Sequence, residues 1–129
     1  MKIGYKGAII VFLITGKAGA GKSVYAKRLA AELRAEGKRV AVIDGDEIRR
    51  VQKNHDYTDN GRKQNIIRMA NLARDVERKG MVAIVAAVTP LRVYRNAMRS
   101  IWYESKTVYI PGGMLWEGTE YERPDESEL

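Results

Sequence analysis

Apolar residues along the chain fall into two rhythms. Ala8-Ile-Ile-Val-Phe-Leu-Ile14 is a continuous apolar run rich in β-branched residues, the pattern of a strand buried on both faces of a parallel sheet. Arg39-Val-Ala-Val-Ile43 and Met81-Val-Ala-Ile-Val-Ala-Ala-Val88 repeat it, and Thr107-Val-Tyr-Ile110 is a shorter fourth run. Between these runs the period lengthens. Lys22 to Glu36 puts Tyr25, Leu29 and Leu33 on one helical face, with Gly37 as a stop. Gly61 to Lys79 aligns Ile66, Met69, Ala70, Ala73 and Val76, and Gly80 follows. Leu91 to Ser105 aligns Tyr94, Ala97, Met98, Ile101 and Trp102, and places Arg92, Arg95 and Arg99 on the opposite, solvent-facing side. The alternation β-α-β-α-β-α-β predicts a mainly parallel α/β sheet with right-handed crossovers.

The 129 residues fit one domain spanning residues 1–129, and 45% apolar content is enough for a packed core. The net charge is +7. Residues 117–129 hold six acids against Arg123 alone, so this acidic C-terminal segment is −5 and residues 1–116 are +12. A basic body suggests an anionic partner without choosing among nucleotide, nucleic acid and acidic surface. No RNA- or DNA-binding module is recognisable. With no cysteine and His55 alone, a disulfide framework, a thiolate zinc site, a cysteine nucleophile and a histidine metal cage are excluded. The longest apolar run, seven residues, is too short for a membrane span, and the chain reads as soluble and cytoplasmic.

The sharpest signal is Gly16-Lys17-Ala18-Gly19-Ala20-Gly21-Lys22-Ser23. It fits G-x-x-x-x-G-K-[ST], with a buried strand before it and an amphipathic helix after it. Glycines let successive backbone N–H groups curl around phosphate oxygens, and the helix N-terminus adds partial positive charge. Lys22 would reach the β- and γ-phosphates and Ser23 would ligate Mg²⁺. The expected fold is therefore a P-loop NTPase, a three-layer α/β/α architecture. The second strand runs into Asp44-Gly45-Asp46, beyond the carboxyl end of a parallel strand, where ligands bind. A carboxylate there can hold Mg²⁺ or take a proton from an attacking hydroxyl, and Arg49 could hold an anionic acceptor. Gly45 would permit the tight turn that aims both carboxylates. A polar turn that caps a helix is the plainer alternative.

The phosphate loop, Asp44-Gly-Asp-x-x-Arg49, Tyr57-Thr-Asp-Asn-Gly-Arg62-Lys-Gln-Asn65 and Ile84-Val-Ala-Ala-Val-Thr89-Pro90-Leu-Arg92 together resemble the adenylyl-sulfate kinase (APS kinase) family. The resemblance implies transfer of the ATP γ-phosphate to the 3′-hydroxyl of adenosine 5′-phosphosulfate, giving PAPS. It implies ATP and Mg²⁺ as cofactors, a small-molecule nucleotide partner and a homodimer. Residue by residue, it places Lys22, Asp44 and Asp46 in catalysis, with Ser23 and Asp44 on the metal. Asp46, Arg49, Tyr57, Arg62, Asn65, Thr89, Pro90 and Arg92 then face the acceptor, Tyr57 as an adenine-stacking aromatic. One departure stands out. The family follows the fourth strand with an arginine-containing helix and a lid segment like R-D-x-K-G-L-Y, whereas Ile110 here runs directly into Pro111-Gly-Gly-Met-Leu-Trp116. Arg95, Arg99 and Arg123 are the local candidates to replace a lid arginine. Two other readings remain: a P-loop kinase acting on another hydroxyl acceptor, such as a nucleoside or a polynucleotide end, and a non-catalytic nucleotide-binding protein.

Overall fold

The computed structural model describes residues 11–52, 58–115 and 120–129. Four strands, β1 (Val11–Thr15), β2 (Val40–Asp44), β3 (Val82–Ala87) and β4 (Ser105–Tyr109), form one sheet in the order β2-β3-β1-β4, and every pairing is parallel. Val11 is in register with Ala83 on one side and Ser105 on the other. β1 and β3 are central and buried along their whole length, which explains their unbroken apolar runs.

Helices α1 (Lys22–Ala35), α2 (Gly45–Gln52), α3 (Asp59–Arg78) and α4 (Arg92–Ile101) complete the fold. Because side chains alternate along a strand, β1 feeds two cores. Phe12 and Ile14 pack with Ala26, Leu29 and Leu33 of α1 on one face. Val11 and Leu13 pack with Met69, Ala70 and Ala73 of α3 and Met98 of α4 on the other. The result is the expected three-layer α/β/α arrangement.

Three differences from the sequence expectation have physical causes. The segment after β2, read as a turn, is the helix α2. Asp44 caps it, its Oδ1 accepting the N–H groups of Asp46 (3.0 Å) and Glu47 (3.4 Å). Gly45 does not supply a left-handed turn. A Cβ there would lie 3.2 Å from Met69 Sδ and 3.4 Å from Ala87 Cβ, so it is close packing that asks for glycine. The helix expected to run to Ser105 stops at Ile101. Trp102 turns inward there, donating from Nε1 to the Ala70 carbonyl at 2.9 Å. The buried Glu77 carboxylate accepts the Tyr103 and Glu104 N–H groups at 3.0–3.1 Å and pairs with Arg74. These bonds hold the chain for entry into β4.

The arginines of α4 differ most. Their spacing reads as a solvated face, yet Arg95 is fully buried. Residues 120–129 cross α4 as a strap whose acids meet those arginines. Glu128 pairs with Arg95 (2.8 Å), Arg99 (2.9 Å) and Arg92 (3.2 Å), and Asp125 also pairs with Arg92. No helix among the described residues is long and apolar enough to cross a membrane.

Candidate functional site

The phosphate loop leaves the central strand β1 and enters α1. Gly19 and Gly21 take positive φ values of 75° and 101°, conformations that side chains resist. Gly16 answers to a different constraint. A Cβ there would lie 2.6 Å from the Ile110 carbonyl oxygen, because Ile110 N–H bonds to the Thr15 carbonyl at 2.9 Å and draws the chain after β4 against the loop. That chain then follows the loop outward. Met114 N–H donates to the Ala18 carbonyl at 2.9 Å, and Gly113 leaves no room for a Cβ beside Ala18 and Lys17.

Lys22 folds back over the loop and donates to the Lys17 carbonyl at 2.7 Å. Burial lowers its pKa from the usual lysine value, and the Asp46 and Asp44 carboxylates partly offset this. Ser23 Oγ donates to Asp44 Oδ2 at 2.5 Å. The fold thus brings Lys22, Ser23, Asp44 and Asp46 together at the carboxyl ends of β1 and β2. Ser23 and Asp44 offer hard oxygen donors of the kind Mg²⁺ takes alongside phosphate oxygens and water. Among the described residues no three acidic or histidine side chains form a metal cage.

The remaining predicted residues spread over α2, α3 and the β3–α4 turn. Arg49 lies half-buried on α2, and Arg62 half-buried in the first turn of α3. Asn65 is buried, and its Oδ1 has no hydrogen-bond partner among the described residues. One turn further on, Met69 packs at Gly45, so this face of α3 abuts the Asp44 junction. Thr89 is buried and Pro90 half-buried. Arg92 is on α4 with its guanidinium engaged by Asp125, which raises its pKa. Tyr57 lies outside the described residues. A shallow groove of about 430 Å³ on the outer face of α3, bordered by Ile67, Arg68 and Leu72, holds none of these residues.

Sequence reasoning missed a polar cluster behind the loop. Thr15, Thr89, Tyr121, Arg95 and Glu128 are joined by hydrogen bonds. A signal existed, since Glu122, Asp125 and Glu128 recur every third residue, as Arg92, Arg95 and Arg99 recur every third or fourth. Opposite charge at matched spacing was the clue.

Residues 6–113 match the family profile described as Adenylylsulphate kinase. The chain belongs to the adenylylsulphate kinase family. It is 40% identical over 102 residues to a probable adenylyl-sulfate kinase of Aeropyrum pernix, covering 78% of this chain and 56% of that one. It is 35% identical over 97 residues to an adenylyl-sulfate kinase of Bacillus velezensis, covering 74% and 49%. The chain thus spans about half the length of these curated relatives. A solved APS kinase of Mycobacterium tuberculosis, in complex with AMPPNP and APS, superposes with a TM-score of 0.74 at 23% identity, over 82% of this chain and 64% of that one. At that identity the superposition speaks for the shared P-loop kinase fold.

Proposed function

We propose that this adenylylsulphate kinase family member phosphorylates the 3′-hydroxyl of adenosine 5′-phosphosulfate with ATP, giving PAPS and ADP. The observation that carries this reading is the 2.5 Å contact of Ser23 with Asp44 at the open end of a complete phosphate loop. Residues Gly16 to Ser23 would cradle the ATP phosphates, Lys22 exchanging its bond to the Lys17 carbonyl for phosphate oxygens. Mg²⁺, held through Ser23 and Asp44, would neutralise charge on the phosphoryl group in transfer. Asp46 is exposed beside Lys22 and would accept the proton of the attacking hydroxyl. The acceptor oxygen then bonds to the γ-phosphorus as the bond to the ADP leaving oxygen breaks. Arg49, Arg62, Asn65, Thr89 and Pro90 would border the acceptor, and the orphan Asn65 Oδ1 fits a nucleotide donor group. Arg92 joins this set with its guanidinium already paired, so an acceptor anion would share it with the strap. Tyr57 keeps its assignment from the resemblance alone. A homodimer in the cytoplasm accompanies this reading.

A second reading is favoured by the bridge between Met114 and Ala18, which lays the chain after β4 against the phosphate loop. In this reading the kinase accepts another hydroxyl. Arg95 and Arg99 do not stand in for a lid arginine here, because Glu128 holds both.

The test is an assay with MgATP and adenosine 5′-phosphosulfate, PAPS measured directly, and Lys22→Ala as control. PAPS formation abolished by Lys22→Ala is the expected result. ATP binding without PAPS would overturn the proposed acceptor and move the search to other hydroxyl compounds.

A further inference from the structure

The ligand-binding edge of the sheet carries a hydrogen-bond cluster that phosphoryl transfer does not itself use. Thr15, the last residue of β1, is fully buried. Its hydroxyl donates to the Val88 carbonyl at 2.7 Å, accepts from Thr89 Oγ1 at 2.7 Å, and lies 2.9 Å from the Tyr121 hydroxyl. A threonine hydroxyl has one proton and two lone pairs. With the proton on Val88 and one lone pair on Thr89, the second lone pair makes Tyr121 the donor. Burial raises the pKa of Tyr121, so the phenol retains the proton this requires. Its ring is stacked on Tyr109 at 6.1 Å, with the Arg95 guanidinium 5.7 Å from the ring centre.

The cluster surrounds a strained residue. Thr89 has φ of 41°, alone in positive φ among the described non-glycine residues. A β-branched residue rarely adopts this conformation, and such strain persists only where neighbours enforce it. Four hydrogen bonds enforce it here. Thr89 Oγ1 is held by Thr15, and the Thr89 carbonyl accepts from Arg95 Nη1 at 2.7 Å. The Pro90 carbonyl accepts Glu122 N–H at 2.6 Å, and Arg92 N–H donates to Glu122 Oε1 at 2.8 Å. The strap therefore restrains the turn directly through Glu122 and indirectly through Tyr121 on Thr15 and Glu128 on Arg95.

The turn sits where it can matter. From β1 the phosphate loop leads to α1 on one face of the sheet, whereas Thr89–Pro90 leads from the adjacent β3 to α4 on the other. It thus borders the carboxyl ends of the strands, where ligands bind in parallel sheets, from the side opposite α1. We propose that Tyr121 is a positioning residue for the acceptor, its hydroxyl holding the strained Thr89–Pro90 turn in place through Thr15. The assignment of the acceptor side rests on the proposed function; the restraint on the turn does not.

Tyr121→Phe keeps the stacked ring and removes the donor, and Thr15→Val removes the hub. Steady-state rates with MgATP and adenosine 5′-phosphosulfate varied in turn, thermal unfolding, and amide exchange at Thr89, Leu91 and Arg92 would be measured on the full chain. The expected result for Tyr121→Phe is a roughly fivefold rise in acceptor KM, about the net worth of one hydrogen bond, with the KM for ATP unchanged and faster exchange at the turn. Thr15→Val, which also breaks the bonds to Thr89 and Val88, should raise the acceptor KM at least as much, and the double variant should lose less than the sum of the two, because the changes share one relay. Unchanged acceptor KM, or equal losses for both substrates accompanying a lowered Tm, would overturn the positioning role. If the wild-type chain makes no PAPS, the proposed function fails on its own. Exchange then decides the restraint: acceleration at the turn in Tyr121→Phe supports it, and unchanged exchange overturns it.

Discussion

Gly16 and Gly45 look alike in the sequence, each a glycine just past a strand, but they answer to different neighbours. At Gly16 the obstacle is backbone, the Ile110 carbonyl oxygen at 2.6 Å; at Gly45 it is the end of a flexible methionine side chain at 3.2 Å. Gly16→Ala should therefore cost about 2 kcal/mol or more, as overpacking does, and weaken nucleotide binding. Gly45→Ala should cost less than about 1 kcal/mol while Met69 shifts. Urea unfolding of both variants, with ATP titration, checks the contrast. Lys22 supports a second prediction at this scale. Its pKa is lowered by burial, so in alkaline buffer part of it is neutral in the free protein. A bound polyphosphate favours the ammonium and raises that pKa, so binding should take up protons. Calorimetry of ATP binding in buffers of different ionisation enthalpy would show this, and buffer-independent heats would contradict it. The phosphate loop and the Asp44 carboxylate were legible in the sequence because their residue types and spacing are dictated locally. Thr15 was not, because its partners lie 74 and 106 residues further along the chain.

Among the elements, α4 and its strap behave as a unit. Arg95 is fully buried and depends on Glu128, whose side chain is 4% exposed. Glu128→Gln would leave a buried guanidinium without its counter-charge, a change that costs about 3 kcal/mol. The loss should appear as a lower Tm and as proteolytic release of residues 120–129. Acid should have the same effect. Hydrogen bonds from Ser127 and Arg92 hold the Asp125 carboxyl down at about 2. Burial would raise Glu128, but the bonds from Arg95 and Arg99 outweigh it and lower its pKa. Carboxylates with depressed folded pKa values contribute stability above their unfolded values, near 4, and lose it as the pH falls through the folded ones. The strap should accordingly loosen between about pH 4 and 2. Asp125→Asn should show a flatter fall in Tm across that window. The helical and strand segments were readable from apolar periodicity, but α2 was not. Its opening Gly45-Asp46 is a poor helix former, and the helix exists because Asp44 caps it and Ile48 packs on the core beneath. The arginine stripe read as solvated because a helix's own sequence says nothing of a segment that folds over it from thirty residues away.

At the scale of the molecule, β1 carries both the phosphate loop and the centre of two cores. Leu13, fully buried between β1 and the α3–α4 layer, should cost about 3 kcal/mol as Leu13→Ala, measured by denaturant titration. The three-layer architecture was legible because alternating buried strands and amphipathic helices admit few other arrangements.

The parallel topology has a further consequence, for how the molecule assembles itself. Among the described residues no strand pairs with its neighbour through a hairpin. Val11 meets Ala83 and Ser105, 72 and 94 positions away. Sheets closed only by such distant partners fold slowly, because loop closure is paid before any contact repays it. β1 is apolar on both faces, so until β4 arrives it presents a bare, sticky edge. During synthesis that edge waits until Ser105, 94 positions after Val11, has emerged, which makes the strand that carries the phosphate loop also the point at which nascent copies would adhere to one another.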